Sequence, residues 1–120
     1  MLDQQTTIEE LKELIRVFTQ ERDWDKFLFP KTIVTYLSLE SAELLEKFVW
    51  CDNVQSKQTL ITQQGEVEEE LADVFYWVAQ MCWIYNIDLS KAVKEKLERN
   101  AQKYPIEKSK GNTRKYSELL

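Results

Sequence analysis

The chain has 120 residues, 43% of them hydrophobic, a net charge of −5 and no histidine. That length and apolar content suit one domain with a real core, read as residues 1–120 with a helical part over about 7–104. The missing histidine removes Ser-His-Asp and Cys-His catalysis and every imidazole metal site, and the acidic balance argues against a nucleic-acid polymer or an anionic membrane as partner.

Two glycines and two prolines suit an all-α chain. The spacing predicts a first helix over Ile8–Gln20, with an apolar stripe of Ile8, Leu11, Ile15 and Phe18. Thr6-x-x-Glu9 and Thr7-x-x-Glu10 are both candidate capping boxes at its start. The aromatic connector ERDWDKFLFPK follows, and Pro30 suits the first turn of a second helix over Lys31–Trp50. Thr32–Tyr36 has strand propensity, but no turn signal intervenes before Trp50, which favours helix.

Cys51–Gly65 is polar, holds Asp52, Asn53 and Gly65, and reads as a loop with at most one short turn. The third helix is expected over Glu66–Tyr85, its second half, VFYWVAQMCWIY, apolar on nearly every face. Such a helix is central or covered by a second copy of the chain. Asn86 and Asp88 break it, and Asp88 is a good N-cap for a fourth helix over Leu89–Lys103, with Pro105 beyond its end. The tail Glu107–Leu120 is polar and reads as extended or loosely docked.

The apolar run Val74–Ile84, interrupted by Gln80, is too short to span a bilayer, and no export leader is expected. Cys51 and Cys82 lack metal-site spacing, and Cys82 reads as a buried free thiol, so a reducing cytoplasm is the expected compartment.

Two pairs of carboxylates carry the chemistry: Glu40-x-x-Glu43 and Glu70-x-x-Asp73. Each pair spans one helical turn and projects from one face. Both sit in apolar stretches, where unpaired carboxylates are costly to desolvate. A hard divalent cation, most simply Mg²⁺ with Mn²⁺ able to substitute, would supply the counter-charge. A solvated acidic face is the alternative, weakened by Leu37, Leu39, Ala42, Leu44 and Leu45 around the first pair and Val74–Val78 after the second. Glu46 continues the first edge, whereas Glu66, Glu68 and Glu69 read as acids favoured at a helix start.

Trp24 and Trp50 stand at helix edges beside polar residues, where a ring can stack on a planar ligand or pack in the core. Trp83 reads as core. Lys96, Asn100 and Lys103/Tyr104 form one polar stripe, which phosphate binding and simple solvation explain equally well.

With 26 residues between Glu43 and Glu70, the four-acid pattern resembles the signature of the all-α nucleoside triphosphate pyrophosphohydrolases, the MazG-like superfamily. ERDWDKFLFPK, LESAELLEKFVW, EEELADVFYWV, IDLSKAVKEKLERNAQKYP and KYSEL, in this order, are similar to stretches of its dCTP pyrophosphatase branch. The resemblance runs from about Glu21 to Leu119. It implies a four-helix-bundle protomer assembling as a dimer or a dimer of dimers. It implies hydrolysis of a nucleoside triphosphate, dCTP or a modified dCTP foremost, to monophosphate and pyrophosphate, as nucleotide-pool housekeeping.

By motif position Glu40, Glu43, Glu70 and Asp73 would hold Mg²⁺ and serve catalysis, with Glu43 the candidate general base. Trp24, Trp50 and Trp77 would contact the nucleotide, and Lys96, Asn100 and Tyr104 the phosphates or metal site. Trp77 stands where vertebrate members carry tyrosine, and Ile15 and Leu28 where they carry histidine, so the pocket is expected to be more apolar. A preference for dUTP, a broad triphosphate range, or a non-catalytic helical dimerisation module are the competing readings.

Overall fold

A computed structural model describes residues 1–119, which form helices and turns without a strand; Leu120, the end of the expected tail, lies outside the described residues. The fold divides into two compact units, Met1–Asn86 and Ile87–Leu120.

In the first unit, α1 spans Ile8–Glu21. Of the two candidate boxes, Thr7/Glu10 caps it. The Thr7 hydroxyl accepts from the Glu10 N–H at 3.1 Å, and the Thr7 N–H donates to Glu10 Oε2 at 2.7 Å. Thr6 instead donates its hydroxyl to the Leu2 carbonyl. Helix α2 spans Pro30–Glu46, with proline in the first turn, and runs straight through Thr32–Tyr36. It stops four residues before Trp50, because the N–H groups of Lys47 and Phe48 bond back three residues, to Leu44 and Leu45, and tighten the chain into turns.

The expected loop after Cys51 is instead largely a helix, α3, over Asn53–Thr62. Asp52 accepts from the Gln55 N–H at 2.8 Å, and Gln55 reaches back to the Asp52 N–H at 2.9 Å. This capping box was legible as Asp52-x-x-Gln55, but the polarity of the stretch concealed it. Helix α4, Gln64–Ile84, therefore begins two residues earlier than expected.

Helix α4 is central: α1, α2 and α3 all pack on it. Ile33 of α2 is fully buried, as are Val67, Ala79 and Cys82 of α4. Thr19, Gln80 and Trp83 form a polar chain within this packing. The Gln80 amide donates to the Thr19 hydroxyl at 2.9 Å, and the Trp83 indole N–H donates to Gln80 Oε1 at 2.6 Å. Each buried polar group so paired avoids an unmet desolvation cost.

In the second unit, α5 occupies Leu89–Lys103 as expected, capped by Asp88, which accepts from the Lys91 N–H at 2.9 Å. The tail is more ordered than its polarity suggests. A short helix, α6, spans Ile106–Ser109, a 3₁₀ turn follows at Tyr116–Glu118, and Leu119 is buried. Tyr116 meets the Tyr104 ring edge-to-face, with the Lys103 ammonium 5.0 Å from the Tyr116 ring. These contacts hold the tail to the end of α5.

Candidate active site

The four acids lie on α2 and α4, which run antiparallel and meet in regular steps. Tyr36 stacks on Trp77, with centroids 4.8 Å apart and planes at 11°. One turn along α2 and one turn back on α4, Glu40 and Asp73 line the same cavity. The next step brings Glu43 to Glu70, and the one after pairs Lys47 with Glu66 at 3.6 Å. The i, i+3/i+4 spacing on each helix places all these residues on facing stripes.

Ligand oxygens of Glu40, Glu43 and Glu70 lie within 4.8 Å of one another. Glu40 and Glu70 are half-buried, and Oε2 of each is buried without a hydrogen-bond partner. Burial pushes the Glu40 carboxyl above its ordinary range, and a hydrogen bond with Glu43 and the charges of Glu43, Asp73 and Glu70 push the same way. Glu70 is likewise raised, by burial first and then by Glu43 and Asp73, with Lys47 opposing. Two orphaned carboxylate oxygens in a pocket of mutually repelling acids fit a hard divalent cation, whose preferred donors are carboxylate oxygens. Asp73 is exposed and outside the tight trio, but its charge acts on Glu40 and Glu70. Glu46 is exposed and does not join the cluster.

Beside the acids opens a cavity of about 570 Å³, lined by Leu14, Ile15, Phe18, Trp24, Tyr76 and Trp77, with Glu40 and Asp73 at its polar edge. Phe18 meets Trp24 and Tyr76 edge-to-face, at 5.9 and 6.2 Å, and Tyr76 meets Trp77 at 5.0 Å. The Trp24 loop is pinned at both ends. The Trp24 N–H donates to the Thr19 carbonyl at 3.2 Å, and the Tyr85 hydroxyl to the Leu28 carbonyl at 2.8 Å. Asp23, just before Trp24, turns the chain with φ at 55°, a left-handed conformation that Asp tolerates. An apolar, aromatic hollow edged by carboxylates can hold a flat ring at one end and a metal-bound anion at the other.

Trp24 and Trp77 thus line the hollow, whereas Trp50 is 94% exposed in the turns after α2 and does not line it. Lys96, Asn100 and Tyr104 belong to the second unit, on α5 and at its C-cap; Asn100 is half-buried and Lys96 exposed. In the sequence Tyr36 shows only strand propensity and Phe18 only a place in an apolar stripe. Lys47 belongs to no motif there, and its one signal is its spacing, one helical turn after Glu43.

The MazG-like family model matches residues 36–119. The chain is 31% identical over 115 residues to dCTP pyrophosphatase 1 of Rattus norvegicus and 32% identical to that of Homo sapiens. Each match covers 94% of this chain and 68% of the relative. The crystal structure of a pyrophosphatase from Archaeoglobus fulgidus superposes with a TM-score of 0.79 at 40% identity, over 82% of this chain and 92% of that one. The chain belongs to the MazG-like family.

Proposed function

We propose that this chain, a nucleoside triphosphate pyrophosphohydrolase of the MazG-like family, cleaves dCTP or a modified dCTP to the monophosphate and pyrophosphate with Mg²⁺, Mn²⁺ able to substitute. The observation that carries the reading is the convergence of Glu40, Glu43 and Glu70 on orphaned buried oxygens, at the edge of an aromatic hollow. Glu40, Glu43, Glu70 and Asp73 would hold the ion. Bound there, it supplies charge neutralisation for the phosphate oxygens and acidifies the attacking water.

The chain's own groups do the rest. The aromatic hollow orients the base and excludes water from it. Glu43, the exposed member of the trio, takes the proton from the water as the α–β anhydride breaks and pyrophosphate leaves. By motif position alone, Lys96, Asn100 and Tyr104 would contact the phosphates or the metal site. Residues 1–120 would act as one domain, a reading supported by the family match over 36–119. Relatives named for dCTP favour that base, and the compartment is the cytoplasm, in keeping with two free cysteines. Among the described residues no helix is long and apolar enough to cross a membrane, and neither a membrane nor a nucleic-acid polymer is assigned as partner.

A pyrophosphate-release panel across all common NTPs and dNTPs with Mg²⁺ tests the reading. The highest turnover is expected with dCTP. A preference for dUTP or a flat profile would change the base assignment. Diphosphate plus orthophosphate as products would overturn the reaction.

Trp24 stands over the hollow, so Trp24→Ala should weaken dCTP binding by about 1–3 kcal/mol, the usual worth of one stacked base. Calorimetric titration with a non-hydrolysable dCTP analogue measures this. Trp50→Ala should cost less, and an equal loss would bring that exposed ring to the base.

The protomer is also expected to pair. Phe27, Phe29, Leu45 and Leu71 are more than half exposed, besides Trp50, a large apolar area for one small chain. Light scattering at micromolar concentration should give a dimer or tetramer. A well-folded monomer would contradict it.

A further inference from the structure

The steps between α2 and α4 give the site a direction. Its aromatic end is the Tyr36–Trp77 stack, its middle holds the acids, and its far end is Lys47 with Glu66. From Trp77, which lines the hollow, to Glu66, the partner of Lys47, α4 advances about 16 Å, a span comparable with an extended nucleoside triphosphate. A base seated in the hollow places its phosphates along the acids and the last of them toward Lys47.

Along the two helices that carry the acids, the cation at that end has no second one beside it. Helix α4 carries no Lys or Arg, and Lys47 is the one basic residue between Lys31 and Lys57. Among the described residues, the Lys47–Glu66 pair is the one ion pair that joins two different helices. The Lys47 side chain is 23% exposed, and its ammonium is paired with Glu66. At 3.6 Å the contact with Glu66 is an ion pair rather than a hydrogen bond, so the ammonium keeps its N–H donors for phosphate oxygens.

We propose that Lys47 binds the terminal phosphate of the substrate and so selects triphosphates over shorter nucleotides, with Glu66 holding its ammonium in place. The assignment rests on the nucleotide reading of the acid site. A monophosphate in the same pose ends among the acids and never reaches Lys47.

The test is calorimetric titration, with Mg²⁺, of α,β-methylene dCTP and of dCMP into wild type, Lys47→Met, Lys47→Arg and Glu66→Gln. Lys47→Met should weaken the triphosphate analogue roughly 10–100-fold, the worth of a hydrogen bond to a charged group. It should leave dCMP within about twofold, because no Lys47 contact is lost there. Lys47→Arg should keep most of the affinity. Glu66→Gln should show a smaller loss in the same direction, which also serves if Lys47→Met does not fold. In Lys47→Met the loss of a positive charge would by itself tighten Mg²⁺, so weaker binding of the longer ligand by that variant does not come from the metal. Equal losses for both ligands would make Lys47 a structural strut, and unchanged selectivity would overturn the proposal while leaving the nucleotide site standing. A wild type that binds neither ligand would overturn the site reading and Lys47 with it.

Discussion

Replacing Glu43 by Gln, or Asp73 by Asn, is expected to lower turnover of dCTP by roughly 10²–10⁴-fold, the range of a lost general base or an equivalent catalytic group. Both changes are nearly isosteric, so they remove charge without opening a cavity. Glu43 has the stronger claim, because its carboxylate lies within 4.8 Å of Glu40 and Glu70 yet remains exposed to a water. Asp73 acts from the cavity edge, through its charge on Glu40 and Glu70 and as a further oxygen donor. Glu69→Gln is the control: Glu69 is exposed, adjoins Glu70 in sequence, and is not in the cluster. Steady-state pyrophosphate release, with far-ultraviolet circular dichroism to confirm helicity, measures all three. Near-full activity in Glu43→Gln or Asp73→Asn would overturn the assignment of that residue.

Mg²⁺ should raise the melting temperature well above that in chelator, and the gain should grow with concentration. Only the folded chain brings Glu40, Glu43 and Glu70 together, so the ion binds the native state alone. At a hundred times the dissociation constant the linkage contributes about 2.7 kcal/mol, and a domain near this size gains roughly 4 °C per kcal/mol. The acids oppose folding until the ion is present: Glu40 and Glu70 are both raised, by burial first and then by like charges. Glu43→Gln removes one of those charges. The metal-free variant should therefore melt higher than metal-free wild type, and its Mg²⁺ gain should be smaller. Monovalent salt at equal ionic strength should do much less, since it only screens. Thermal melts of both proteins, each in chelator and in Mg²⁺, separate these effects. Identical melting temperatures for wild type in the two conditions would mean that the acids do not form a metal site.

The parts of the molecule legible in sequence are those fixed by neighbours a few residues apart. The Thr7 box, the Asp88 cap and the bounds of α5 follow from local hydrogen bonding, and the two acid pairs from helical spacing. Even there one local signal lost to another. Asp52-x-x-Gln55 starts α3, but a polar stretch flanked by Gly65 read as a loop. Helix α2 ends four residues before the expected Trp50 because three-residue back-bonds at Lys47 and Phe48, not a breaker, end it.

What the tertiary structure alone decided is the register of α2 against α4. That register sets Trp77 on Tyr36, brings Glu43 to Glu70, hides one oxygen each of Glu40 and Glu70, and gives Lys47 to Glu66. The tertiary structure also separates Trp24, at the hollow, from Trp50, which is exposed, two rings with the same signal in the sequence. A helix's period comes from bonds between residues four apart, so the chain carries it locally. The register of two antiparallel helices comes from how their side-chain ridges interlock across the core, with the intervening α3 free to place them, and no local pattern encodes it.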